Sequence, residues 1–584
     1  MMRNWRVTLL SAAAAVACCG LAAGTGPAMA GPAPAGKAVP SGHWGAVHGV
    51  RGAAALLTGE AAVVNAVSCS APGECTAGGS YAGTSPDENQ LGFVADERHG
   101  VWGAAVQLPS VDPATGASII QSMSCASPGN CAAAGASDPD EKKAHSFVVS
   151  EAGGQWGMPQ RLVGAGDFTD LGGSDAVTMS CARNQPGDCV AGGFFADLSG
   201  TSHAVVADES GGTWGRAIPL QAAVITRSGD PASTQVTSVS CASPGNCAAA
   251  VSYKPSSGFA QALVADETNG TWGAARPLPG MTGLSHGNSE ADVVSCPAPG
   301  SCAVTGKYTD DQGRQQVFAA GEASGAWRQP TPFPLNASHQ DLPGSHLSCG
   351  APGDCAVVGT YSDATGGTHA MVATEAGGAW GQAAKLSGVT AGAGVLSISS
   401  AVSCAAAGDC TVAGSYGSGH LFTAEERDGA WQPARKLPGE AGLLAAGDVA
   451  NGFTALSCAA PGNCAVGGSY TGPAGFEHPF VTDKSTVTST MLGLSAARAR
   501  FGREQAVRIT VKVASVTGGK PAGQVAVTAD KTTVCVITLK AGKGNCAVGA
   551  KKLRPGKYQL LATYRGSTVY ARSVAVKKTL VVTR

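Results

Sequence analysis

The chain has 584 residues, of which 83 are Gly and only 14% are charged, with a formal net charge of −1. This composition suits turn-rich β structure and excludes an architecture built mainly on long helices. A net charge near zero excludes no charged partner until the charges are mapped along the chain.

Residues 1–30 read as a secretory signal: Arg3 and Arg6, an apolar run from Val7 to Ala17, and the small-residue cleavage site Ala28-Met29-Ala30. Neither Cys18 nor Cys19 has the Leu three residues before it that a lipoprotein signal would carry. The mature chain is therefore expected outside the cell, secreted or held at its surface. No later stretch approaches the ~18 consecutive apolar residues of a membrane span. Residues 31–42, rich in Pro, Ala and Gly, read as a flexible lead.

From Val67 onward one unit recurs every 53 to 60 residues, its first Cys falling at 69, 125, 181, 241, 296, 349, 404 and 458. Each copy opens with Ser-Cys, a short turn and a second Cys. The predicted pairs are Cys69–Cys75, Cys125–Cys131, Cys181–Cys189, Cys241–Cys247, Cys296–Cys302, Cys349–Cys355, Cys404–Cys410 and Cys458–Cys464. Once the signal is removed 18 Cys remain, an even number in an oxidising compartment, so disulfides are the default. The spacing, without a recurrent His, does not match zinc sites. A loop this short contributes about 2 kcal/mol per bridge, so the bridges are expected to fix hairpin geometry. Eight equivalent copies argue against a redox role.

Each unit holds four strand-like runs, in the third copy 177–181, 189–195, 203–208 and 214–220. Four strands per repeat of about 50 residues predict a propeller blade. The fourth run carries Trp102, Trp156, Trp214, Trp272, Trp327, Trp380 and Trp431 in successive copies, and the last copy has none. Trp44, in His43-Trp44-Gly45-Ala46-Val47, supplies it. Residues 43–484 are therefore read as an all-β, eight-bladed β-propeller, with seven blades as the alternative, closed by the N-terminal strand. The Cys and Trp turns are expected on one face. The variable loops 137–144, 163–176, 221–235 and 280–292 fall on the other, where binding is expected.

An acidic residue precedes each Trp run: Glu97, Glu151, Glu209, Glu267, Glu322, Glu375, and Glu425 or Glu426. Paired carboxylates can do acid and base work. Seven equivalent copies around a ring cannot share one substrate, so these are expected to accept turn hydrogen bonds. Gly283-Leu284-Ser285-His286-Gly287 has the form of a nucleophile elbow but lacks the strand, turn and helix it requires. The loops Asp138-Pro139-Asp140-Glu141 and Thr309-Asp310-Asp311-Gln312-Gly313 offer Ca²⁺ ligands but read better as solvated turns. No catalytic residue, metal site or cofactor is assigned.

The repeat stops near Thr482. Residues 485–584 alternate polar and apolar, as in Val507-Arg508-Ile509-Thr510-Val511-Lys512-Val513, which predicts an immunoglobulin-like sandwich with Cys535 and Cys546 bridged. Here 18 Lys and Arg face only Glu504 and Asp530, net +16, whereas residues 31–484 carry 19 basic and 38 acidic residues, net −19.

Asp208-Glu209-Ser210-Gly211-Gly212-Thr213-Trp214 and Asp266-Glu267-Thr268-Asn269-Gly270-Thr271-Trp272 resemble the Asp-box repeats of sialidase-type propellers. That likeness implies a structural turn between third and fourth strands. Ala326, Ala379 and Ala430 depart from its Thr, and no arginine cluster with a Tyr and Glu pair is assigned. The repeats as a whole resemble Cys-turn repeats of exported proteins from high-GC Gram-positive bacteria. Lys520-Pro521-Ala522-Gly523-Gln524-Val525-Ala526-Val527, Leu553-Arg554-Pro555-Gly556-Lys557-Tyr558 and Ala562-Thr563-Tyr564 resemble bacterial Ig-like repeat domains of surface proteins, which implies a spacer or adhesive module.

The combined expectation is a monomeric, non-catalytic binding or adhesion protein. One propeller face would recognise a ligand, and the basic domain would either attach to a cell-wall or extracellular polyanion or glycan or dock on the acidic propeller of the same chain. Nucleic acid is not expected for an exported chain. The alternative is an extracellular glycan-active hydrolase or lyase of sialidase-like propeller type.

Overall fold

The computed structural model describes residues 42–45, 47–52, 61–82, 91–98, 100–111, 118–137, 145–164, 174–197, 199–223, 232–333, 345–362, 367–388, 397–417, 419–438, 449–472, 475–486, 488–515, 520–530, 532–566, 570 and 572–584. The signal 1–30, the lead up to residue 41 and the acidic loop 138–141 lie outside the described residues. So do most of the loops 137–144, 163–176 and 221–235.

Among the described residues, eight sheets repeat one plan. In the fourth, Ala232–Ser243, Asn246–Pro255 and Gln261–Thr268 run antiparallel, and two short pieces, Thr271–Trp272 and Arg276–Pro277, share the outer position. This corrects the single outer strand expected at 214–220, which the third sheet divides into Thr213–Trp214 and Ile218–Pro219. The cause is a change of partner. The Gly215 N–H returns to Asp208 O at 2.8 Å, but the Ala217 N–H donates to Val163 O, after the second sheet, at 3.0 Å.

The last sheet takes its outer pieces from the start of the chain. Val449–Ala460, Asn463–Thr471 and Glu477–Ser485 are followed by His43–Trp44 and His48–Gly49, with Trp44 opposite Lys484 and His48 opposite Val481.

Disulfides join the two Cys of every repeat, with Cys241 directly opposite Cys247 across the first hairpin. The turn between them requires glycine. Gly245 has φ 66°, and a Cβ on it would lie 2.7 Å from Gly270 N. That close approach is a hydrogen bond from the Gly270 N–H to Gly245 O (2.9 Å). Equivalent bonds recur in the first seven sheets, so the Cys and Trp turns share one edge.

The Ser before each first Cys joins neighbouring sheets. Ser68 Oγ accepts the Cys125 N–H, Ser124 that of Cys181, and Ser180 that of Cys241. The series continues through Ser240, Ser295, Ser348 and Ser403, each bond 2.9–3.0 Å. Ser457 then accepts from Cys69 N–H at 2.9 Å, which brings the series back to the first sheet.

The apolar core is divided into layers between sheets. On the second strand of the fourth sheet, Ala248 and Ala250 pack towards the fifth sheet, while Ala249 and Val251 pack towards the third. Both faces are buried, so successive residues are all small and apolar and no polar alternation develops.

In the C-terminal region, Thr488–Leu494, Arg508–Ser515 and Lys543–Ala547 form one sheet. Arg498–Arg500, Lys578–Thr583, Gly556–Tyr564, Gly523–Ala529 and Thr532–Leu539 form the main path of a second. They enclose a core that includes Ile509, Val511, Val525, Val527, Leu560 and Tyr564, and the Cys535–Cys546 bridge joins the two sheets.

Candidate functional site

The outer face of the three-stranded C-terminal sheet is built by simple alternation. Along Arg508–Ser515, Ile509, Val511 and Val513 point into the core, which leaves Arg508, Thr510 and Lys512 exposed. Register places Lys543 opposite Lys512 and Asn545 opposite Thr510. Lys540 and Thr538 form the adjoining wall of a groove of about 810 Å³. Gly493 sits opposite Thr510, and a Cβ there would come within 2.5 Å of Thr510 Oγ1, so glycine keeps this part of the floor open. Arg508 Nη2 donates to Asn545 Oδ1 at 3.0 Å, which orients the guanidinium along the groove.

Four cations thus converge on one concave surface, and the two acids of the region are engaged elsewhere. Glu504 is fully buried. Burial works against its charge, but backbone N–H groups, including Lys551 N at 3.0 Å, hold its carboxyl below the ordinary value. Asp530 Oδ1 accepts the Gln559 N–H at 3.1 Å. Such a surface attracts phosphate and carboxylate polymers in a salt-dependent way.

The recurrent glutamates lie on the edge that carries the Cys and Trp turns. The seventh member is Glu426, which pairs with Trp431. Glu322 accepts the Cys302 backbone N–H of its own Cys turn, as expected, but all seven are buried and several engage the neighbouring sheet instead. Arg98 Nη2 donates to Glu151 Oε1 (2.6 Å) and Ser150 Oγ to Glu209 Oε1 (2.6 Å). Burial is the main cause of their raised pKa values. Glu97 is pushed up to about 8, and Glu151, Glu267 and Glu322 to about 7. Glu209, Glu375 and Glu426 shift the same way for the same reason. In the eighth sheet this position is Lys484, 3% exposed, which pairs with Glu425 at 2.8 Å. The Trp side chains add to the clasp: Trp214 Nε1 donates to Ser150 Oγ, Trp272 to Asp208, Trp327 to Asp266 and Trp431 to Thr374.

The remaining candidates resolve locally. Ser285 Oγ donates to Gly287 O and Asn288 O, and the one-turn helix Met281–Leu284 precedes it, the reverse of an elbow. Asp310 accepts from Gln312 N, Arg314 N, Arg314 Nε and Gln316 Nε2. Partial burial opposes its charge, yet these bonds lower its pKa, so its oxygens are already used within the turn. Among the described residues no group of three or more His, Cys, Asp or Glu could hold a metal ion, and no helix is long and apolar enough to cross a membrane. Two features are not legible in the sequence alone. The Ser before each Cys was visible in all eight copies, but its partner lies one repeat away. The Glu425–Lys484 pair was foreshadowed only by the seventh copy having two adjacent glutamates.

Nothing among the curated proteins matches the chain. Among solved structures it is similar to a protein of unknown function from Dyadobacter fermentans (15% identity, 57% of this chain and 99% of that one, TM-score 0.34). It is similar also to a PL25 ulvan lyase (12%, 68% and 95%, 0.36) and to the BP39L lectin of Burkholderia pseudomallei (16%, 65% and 100%, 0.36). At such scores these likenesses assign no function. The match that identifies a family is confined to the end of the chain: residues 492–583 fit the family model described as a bacterial Ig-like domain, group 3.

Proposed function

We propose that the chain is an exported, non-catalytic binding protein in which an eight-bladed β-propeller, residues 43–484, is attached to a cell-wall or other extracellular polyanion by its basic Ig-like domain. The observation that carries this reading is the groove of Arg508, Lys512, Lys540 and Lys543, which among the described residues is lined by no acid. Nine disulfides fit an oxidising compartment. The return of the Ser-Cys series from Ser457 to Cys69 and the pairing of Trp44 with Lys484 support a ring closed by the N-terminal strand. A glycan-active enzyme would need one carboxylate pair set apart from the others, whereas the seven glutamates share a common burial.

The intact mature chain is expected to sediment with isolated cell walls at low salt and to be released at high salt. A chain ending at Thr486 is expected to remain in solution. Equal retention of the shortened chain would refute attachment through the basic domain.

A further inference from the structure

Three seams between consecutive sheets open into clefts beside the Trp segments. The first lies between the first and second sheets (about 470 Å³), the next between the fourth and fifth (about 670 Å³), and the last between the seventh and eighth (about 260 Å³). The three share a chemistry, although Arg276 does not occupy the repeat position of Arg98, and Trp272 comes from the leading sheet of its seam where Trp156 comes from the following one. The acid immediately before the buried-glutamate position is paired with an arginine of its own sheet: Asp96 with Arg98 at 3.2 Å, Asp266 with Arg276 at 2.6 Å, and Glu425 with Arg427 at 2.5 Å. A partly exposed tryptophan lines each cleft: Trp156, Trp272 and Trp44.

The middle cleft is the most fully equipped. Asp266 and Arg276 set an acceptor and a donor side by side at its mouth. Glu267 lines it with only 6% exposure. Thr268, Thr271 and Asn246 add neutral polar groups, and the Trp272 ring offers an apolar surface.

We propose that the cleft between the fourth and fifth sheets binds a neutral, polyhydroxylated saccharide. Its adjacent hydroxyls would be held by the Asp266–Arg276 pair. Two adjacent hydroxyls need a neighbouring donor and acceptor at fixed spacing, which a carboxylate–guanidinium pair provides. An anionic ligand would meet Asp266, Glu267 and Glu322. A strongly basic one would find Asp266 already paired with Arg276. The volume lies within the range of small-molecule sites, and weaker copies in the other two seams would raise avidity for a polymer. This site uses no residue of the C-terminal domain, so it stands or falls separately from polyanion attachment.

The test is affinity electrophoresis of the full mature chain through gels containing mannan, arabinogalactan or dextran, with poly-lysine as a counter-probe in solution. At least one polysaccharide is expected to retard the chain. Arg276→Ala, at a side chain 46% exposed, is expected to weaken retardation by about tenfold or more with the melting temperature unchanged. Lys540→Glu/Lys543→Glu is expected to leave it unaltered. No retardation by any of the three polysaccharides, undiminished retardation of Arg276→Ala, or preference for poly-lysine would overturn the proposal.

Discussion

Trp380 shows how much a single residue matters in a repeat. In four other sheets the indole N–H donates to the residue before the glutamate of the preceding sheet, which is Ser150, Asp208, Asp266 or Thr374. The corresponding residue for Trp380 is Gly321, which has no side chain, and Trp380 Nε1 is buried without a partner. Gly321→Ser would restore the arrangement of Ser150, which bonds both Trp214 and Glu209. A Cβ at 321 would lie 3.1 Å from Glu375 Oε1, the end of a flexible side chain. The variant is expected to gain about 1 kcal/mol, read as a higher urea midpoint; a lower midpoint would mean that Glu375 cannot give way. Glu97 offers a pH-dependent counterpart. Burial raises its pKa from 4.5 to about 8, with Asp483 and Glu74 adding to the rise, and neither carboxylate oxygen has a hydrogen-bond partner. The folded chain holds this proton to higher pH than the unfolded chain. The corresponding stability is therefore complete below about pH 4.5 and is lost as pH rises through about 8. Glu97→Gln, neutral throughout, is expected to be more stable than the parent by roughly 5 kcal/mol above pH 8 and equal to it near pH 4. Melting curves at the two pH values make the comparison.

At the scale of the element, the repeat was legible because its markers are local. The Cys pairs lie six or eight residues apart within one hairpin, and the tryptophan missing after Cys458 had a visible counterpart in Trp44. What escaped was non-local or unpatterned. Ser240 bonds Cys296, 56 residues on, and nothing near Ser240 announces it. The outer strand reads as continuous from Trp214, yet Ala217 takes its partner beyond the second sheet. Spacing shows the position of the buried glutamates and not which neighbouring sheet a side chain meets. The N-terminal pieces bury Val47 and Val50 and seat Trp44 against the last sheet. Deleting residues 42–50 is expected to cost roughly 5 kcal/mol, seen as a lowered melting temperature. An unchanged melting temperature would mean that these pieces do not seal the ring.

For the whole molecule the decisive property is the separation of charge, −19 over residues 31–484 and +16 over residues 485–584. The sequence shows that imbalance directly but not its shape. Only the strand register brings Lys512 and Lys543 opposite one another and sets Lys540 beside them, and only the fold shows that Glu504 and Asp530 are occupied by backbone N–H groups. The most direct test is the affinity of the full mature chain for a wall teichoic acid polymer across a salt series, beside that of Lys540→Glu/Lys543→Glu. Screening shortens from about 10 Å at 0.1 M towards about 3 Å at 1 M salt. The parent is therefore expected to bind tightly at low salt and to lose most of its affinity as salt rises, while the charge-reversed variant binds weakly throughout. Affinity that does not change with salt, or that survives charge reversal, would contradict attachment through the basic groove.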